Sequence, residues 1–169
     1  WEIFQDIDRG TPMNRLLQGD VGSGKTIVAG LSAYLSFLNG FQTAIMAPTE
    51  ILATQHYETL TNLFGSKISV GLLTGSQIQS SKSKVQNDSK KAAKEEIKKQ
   101  IVEGSVSVVI GTHALLTEDT QFQKLGLVVI DEQHRFGVEQ RKTIRDKSGM
   151  EGMYPHFLSM TATPIPRSY

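Results

Sequence analysis

The sequence predicts an α/β fold, a doubly wound, mostly parallel sheet flanked by helices. Three observations carry that prediction. Short apolar runs of strand length alternate along the chain with longer segments of helical period. Several of the short runs, "VSVVIG" and "GLVVID" among them, are dense in valine and isoleucine, as strands covered on both faces must be. A glycine-rich stretch stands where the first strand of such a sheet hands over to its helix.

The elements follow in order. "WEIFQDIDRG" reads as part of a helix, and a chain that opens on Trp1 inside such a segment reads as a piece of something longer. "RLLQG" is expected as a short buried strand. "KTIVAGLSAYLSFLNG" is expected as a helix with Ile27, Val28, Leu31, Tyr34, Leu35 and Leu38 as its apolar positions and Gly40 as its stop. "QTAIMAP" is a second strand halted by Pro48, after which Thr49 caps a helix over "EILATQHYETLTNLF" with apolar spacing at Ile51, Leu52, Tyr57, Leu60 and Phe64. "ISVGLLTG", "VSVVIGT", "GLVVIDE" and "HFLSMTAT" supply strands three to six. Between the third and fourth lies a segment rich in serine and lysine that turns helical from about Ser89. Its first half is expected as a mobile loop, and its lysines read as a solvated face, with a nucleic-acid contact as the competing reading.

With 169 residues the chain fits a single domain over 1–169. Lys and Arg total 18 against 17 for Asp and Glu, so the net charge of +1 carries no electrostatic footprint of a nucleic-acid binder. Backbone N–H groups, hydroxyls and helix N-termini can hold a phosphodiester chain all the same. The absence of cysteine removes disulfide frameworks and thiolate zinc sites and agrees with a cytosolic setting. No signal-peptide pattern and no apolar run long enough to span a membrane is present in the sequence.

Within "RLLQGDVGSGKTIVAG", residues Gly19, Gly22, Ser23, Gly24, Lys25 and Thr26 match the spacing of a phosphate-binding P-loop. Each element has a physical job at that spacing. Glycines let the backbone double back so that successive N–H groups converge on phosphate oxygens. Lys25 supplies a point charge for the β- and γ-phosphates, the Thr26 hydroxyl a ligand for Mg2+, and the helix opening there its positive dipole end. A P-loop hydrolase also needs an acid at the end of another apolar strand, and Asp131 follows Leu127-Val128-Val129-Ile130 directly. In a parallel sheet both features belong at the carboxyl ends of the strands. Glu132, next in sequence, is the candidate to deprotonate the attacking water. His56, His113 and His156 show no metal-ligand spacing, and His134 reads by itself as a local hydrogen-bonding group.

Together, "GDVGSGKT", "APTEILATQH", "LTGS", "GTHALL", "VVIDEQHRFG" and "SMTATPIPR" resemble the ordered motifs of the first RecA-like motor domain of superfamily 2 helicases. Within the superfamily, "PMNRLLQGDVGSGKT", the box Asp131-Glu132-Gln133-His134 followed by "RFGVEQR", and "TATPIPR" look most like the bacterial branched-DNA helicases. The resemblance implies ATP and Mg2+ as cofactors, with Lys25 and Thr26 on the phosphates and metal, Asp131 on the metal and Glu132 as base. It implies that Pro48 and Thr49, Thr74 and Gly75, and Gly111 and Thr112 grip one DNA strand through its phosphates. It further implies that Gln133, His134, Thr161 and Thr163 couple hydrolysis to movement. Branched or forked DNA, a second RecA-like domain and a wedge domain of the same chain are the implied partners, no membrane is involved, and the setting is the bacterial cytoplasm at the nucleoid. The work implied is fork reversal, branch migration, recombination and repair.

The departures from the pattern are specific. The family's adenine-reading segment, second motor domain and arginine finger have no match here, Arg167 reading as a surface residue, so the stretch by itself is expected to be inactive. The motor of the transcription-repair coupling factor is the nearest alternative, and Gln133 argues against it, since that relative usually carries glutamate there. A GTPase would need Asn-Lys-x-Asp, which is absent, and a binding module without catalysis would have no use for Glu132 beside the metal ligand.

Overall fold

The computed structural model describes residues 1–9, 11–76, 78–81, 90–112, 115, 120–132, 138–149 and 152–162. The element order is α1 (Glu2–Asp8), β1 (Asn14–Gln18), α2 (Lys25–Leu38), β2 (Gln42–Met46), α3 (Glu50–Phe64), β3 (Val70–Leu73), β4 (Ile78–Ser80), α4 (Lys90–Val102), β5 (Val108–Gly111), β6 (Leu125–Asp131), α5 (Val138–Asp146) and β7 (His156–Thr161). The strands form one sheet in the order β1-β7-β6-β2-β5-β3-β4, in which only the β3–β4 pair is antiparallel. The doubly wound α/β prediction therefore holds, and all six expected strands are present.

Alternation along the central strands sends side chains to two cores. Ile45, Val108, Ile110, Leu127 and Val129 pack on the side that holds residues of α2 and α3. Met46, Val109, Val128 and Ile130 pack on the other side, against Ile97 and Ile101 of α4 and Ile144 of α5. The residues of β2, β3 and β5 are all buried, which is why those segments are mostly apolar, Gln42 and Thr43 at the start of β2 being the polar exceptions.

Several expectations are corrected. Among the described residues β1 pairs only with β7, at the edge of the sheet, so its residues alternate between exposed and half-buried instead of being buried throughout. α2 turns its small residues inward: Ala29, Gly30, Ser32, Ala33 and Ser36 are buried, whereas Ile27, Leu31 and Leu38 are exposed. The reason is packing distance. A Cβ on Gly30 would stand 2.8 Å from Leu60 Cδ2 and 2.9 Å from Leu63 Cδ2, so α2 lies against α3 where a larger side chain has no room. Ile51 is likewise exposed at the start of α3. Part of the loop expected after β3 is the strand β4, and α5 forms from a polar sequence that carries no helical apolar pattern. The segment 82–89, expected as mobile, lies outside the described residues, while the helix expected from about Ser89 is α4. Its lysines are mixed in placement: Lys91 and Lys99 are exposed, but Lys98 is buried and its Nζ lies 3.5 Å from Glu95 Oε1.

The amino end of β7 carries a pH-sensitive contact. His156 Nδ1 accepts the Met13 N–H at 3.0 Å, a role open only to the unprotonated nitrogen. Burial pushes the His156 pKa below its ordinary value, against a partial opposing pull from Asp6. The unfolded chain thus binds that proton more readily, so the contribution to stability is complete above about pH 6.5 and is lost as pH falls through the folded-state pKa. Asp6, held below the usual carboxylate range chiefly by its hydrogen bond from Arg15, acts only at lower pH. The melting temperature is expected to drop between about pH 7 and about pH 5.5, and His156→Gln to flatten that drop. Equal slopes for both proteins in a melting series would count against this assignment.

Candidate active site

Register brings six strand ends level. Gln18 pairs with Thr161, Met160 with Asp131, Ile130 with Met46, Met46 with Gly111, and Gly111 with Leu73. The connections after β1, β7, β6, β2, β5 and β3 therefore leave the sheet along one edge in that order, roughly 5 Å apart. Single bonds carry the ladder past the strands: Gly19 N–H donates to Thr161 O at 3.2 Å, Glu132 N–H to Met160 O at 2.9 Å and Ala47 N–H to Gly111 O at 2.9 Å.

The glycine loop occupies the β1 end of this edge. Gly22 and Gly24 have φ of +82° and +86°, and no atom lies within 4 Å of a Cβ built on either. Backbone conformation, not crowding, is what demands glycine at these two positions. Gly24 caps the 14-residue helix α2, whose first turn carries Lys25 and Thr26. The Lys25 ammonium donates to Gly19 O at 2.5 Å and Asp20 O at 2.7 Å, strapping the helix start to the strand end. Gly19 is crowded for a different reason: a Cβ there would meet Ser23 Oγ at 2.6 Å. Backbone donors at a helix start, two left-handed glycines and a lysine are the physical requirements of an anion cradle.

Two strands away, Asp131 ends β6, half-buried, with Oδ2 2.8 Å from His56 Nε2. Glu132 follows with φ +56°, the only positive φ outside glycine among the described residues. That turn costs an L residue about 1–2 kcal/mol. Thr161 closes β7 between the two, buried, in register with Gln18. Thr26 and Asp131 offer a hydroxyl and a carboxylate oxygen, the hard donors Mg2+ takes. Among the described residues no group of three or more His, Cys, Asp or Glu forms a protein-only cage.

The residues expected on a DNA strand fall on the other half of the same edge. Pro48 and Thr49 follow β2, Thr112 follows β5, and Thr74 and Gly75 follow β3. Their accessibility differs. Thr49 and Gly75 are exposed and Pro48 and Thr112 are half-buried. Thr74 is 1% exposed, and Gly111 is closed in, a Cβ there lying 2.3 Å from Leu73 O. Both residues are buried as a whole, backbone included, so neither presents a surface to a DNA strand in this arrangement. Thr49 also caps α3, accepting the Leu52 N–H at 3.3 Å. Gln133, His134 and Thr163 lie outside the described residues.

His56 is the residue that sequence reasoning passed over. It shares the buried face of α3 with Ala53, Tyr57 and Leu60, and a histidine in that row needs a polar partner. Spacing could place it inward, but nothing local identifies Asp131, 75 residues on, as the partner. A cleft of about 330 Å3 bounded by Ile7, Asp8, Phe41, Tyr154 and His156 lies at the opposite, amino end of the strands and shares no residue with this edge.

Sheet order, loop and acidic strand end define a RecA-like P-loop nucleotide-binding domain. The chain belongs to the DEAD/DEAH box helicase family, whose model matches residues 1–169. It is similar to the ATP-dependent DNA helicase RecG of Aquifex aeolicus, 49% identical over 168 residues that make up 99% of this chain and 19% of that protein. The RecG of Haemophilus influenzae is 51% identical over 99% of this chain and 22% of its own length. The solved structure of RecG bound to a three-way DNA junction superposes with a TM-score of 0.75 at 44% identity, covering 98% of this chain and 21% of that one. The chain thus spans about a fifth of the length of these relatives. No helix among the described residues is long and apolar enough to cross a membrane.

Proposed function

We propose that residues 1–169 are the first RecA-like motor domain of an ATP-dependent DNA helicase that acts on branched or forked DNA, in fork reversal, branch migration, recombination and repair in the bacterial cytoplasm. The observation that carries this reading is the shared edge: nucleotide chemistry at β1, β7 and β6, and strand-contact candidates at β2, β5 and β3, in register with one another. Similarity to the RecG proteins, one of them solved on a DNA junction, supports the choice of substrate. In this reading Gly19, Gly22, Ser23 and Gly24 present backbone donors to the phosphates, and Lys25 exchanges its bonds to Gly19 O and Asp20 O for phosphate oxygens. Thr26 and Asp131 hold Mg2+, which when bound offsets charge on the transferring phosphoryl group. Glu132 accepts a proton from water, and Thr161, hydrogen-bonded through its carbonyl to Gly19, passes changes at the loop into β7. A second RecA-like domain and a wedge domain would complete the motor.

Lys25→Ala in the complete protein tests the nucleotide assignment. A charge-assisted hydrogen bond contributes about 1.5–3 kcal/mol, so affinity for ATP is expected to fall at least about tenfold. Titration with a fluorescent ATP analogue reads this directly; unchanged affinity would remove the phosphate-binding role.

A further inference from the structure

Asp131 is held from outside the nucleotide-binding motifs. His56 Nε2 lies 2.8 Å from its Oδ2, and the two side chains are 11% and 13% exposed. An ionised carboxylate can only accept, so the ring donates Nε2–H. A carboxylate has about four lone-pair directions, so this bond leaves Asp131 free to hold a cation as well. What the bond removes is rotation at the end of a strand.

The helix that supplies His56 from its middle is anchored at its first turn to strand-contact candidates. Thr49 caps it. Glu50, in its first turn, accepts the Ser76 N–H at 3.0 Å and also the Ser76 hydroxyl, which ties α3 to the turn that contains Thr74 and Gly75. From Glu50 to His56 is about 9 Å of regular helix. One rigid element thus touches the connections after β2 and β3 at its first turn and the end of β6 two turns further on, near its middle.

We propose that His56 is a positioning residue, which orients the Asp131 carboxylate for the metal and ties it to the helix that begins at Thr49. The inference rests on the nucleotide-site reading above and adds to it a route along α3. Partners that orient metal ligands in this way contribute about 10- to 100-fold to metal affinity.

The test uses the complete protein with ADP and Mn2+ as the paramagnetic probe, free Mn2+ being read by electron paramagnetic resonance, and with melting curves for every variant. His56→Leu is expected to weaken Mn2+ binding about tenfold or more. His56→Gln, whose amide nitrogen reaches about as far as Nε2, is expected to restore most of it, and His56→Asn, which is shorter, is not. In an Asp131→Ala background, His56→Leu is expected to cost nothing further. Wild-type Mn2+ affinity in a folded His56→Leu protein would overturn the proposal, as would equal losses in the Gln and Asn variants. The Gln and Asn pair decides the matter if the leucine variant does not fold. Lys25→Ala, assayed alongside, separates the two readings. If it retains full nucleotide affinity the underlying site assignment falls, whereas if it loses affinity and the His56 series is flat, only the positioning role falls.

Discussion

Glu132→Gln in the complete protein is expected to leave ATP binding intact and to lower hydrolysis about 100-fold or more. Glutamine keeps the length and shape of the side chain but cannot accept a proton. It is also no harder to place at the φ of +56° that the site imposes, so the backbone turn and the Glu132 N–H bond to Met160 O should survive. Because Asp131 keeps its place at the strand end, held by His56, the metal site is unaltered and the loss falls on the chemical step. Single-turnover hydrolysis with forked DNA, set beside nucleotide affinity and melting temperature, separates the terms. Turnover comparable to the parent protein would show that Glu132 is not the base.

Gln42→Leu is expected to destabilise the domain by about 3 kcal/mol, more than a hundredfold in the folding equilibrium. Gln42 is buried at the start of β2, and its amide is fully engaged. Nε2 donates to Ile101 O and Val106 O, each at 2.9 Å, while Oε1 accepts from Gln123 N at 2.9 Å and Lys124 N at 3.1 Å. One side chain thereby joins the end of α4, the approach to β5 and the approach to β6. Leucine fills much of the same volume but takes the amide donor from Val106 O and the acceptor from the Gln123 and Lys124 N–H groups, each bond left unmade costing about 1–3 kcal/mol, while Ile101 O keeps the Gly104 N–H at 3.1 Å. Gln55→Leu, at an exposed position on α3, serves as the control and should shift stability by no more than about 0.5 kcal/mol. Equal midpoints for both variants in a urea titration would refute the network's role.

What could be read without coordinates shares one property: its cause is short-ranged. The P-loop was legible because positive φ at Gly22 and Gly24 and the helix start at Lys25 are decided within a few residues. The Thr49 cap is local in the same way, its bond closing on Leu52 three residues later. β2, β5 and β6 announced themselves because strands covered on both faces admit little but apolar side chains. Asp131 and Glu132 were legible as a strand end because the run before them is unbroken.

The errors have the opposite character. β4 is three residues with no apolar pattern, and it exists through pairing with β3 and the Ser81 hydroxyl that accepts the Val70 N–H at 2.8 Å. α5 buries only Ile144 among its described side chains. It is held instead by Arg141, which lies 5.4 Å from the Phe157 ring centroid and donates to Asn14 Oδ1 at 3.1 Å. Helical periodicity misses the inward face of α2 because it ranks residues by hydrophobicity, whereas the close approach of α3 selects Gly30 and its small neighbours.

By itself, then, the sequence determined the alternating α/β order, the cradle and the acidic strand end, since each depends on backbone preferences and burial along a few consecutive residues. Only the tertiary structure decided which strands neighbour one another, which helix faces point inward, and that His56 of α3 reaches Asp131 of β6. Those outcomes depend on side chains up to 75 residues apart being brought within hydrogen-bond distance, and no local preference encodes a partner that the chain meets only when the sheet has closed between them.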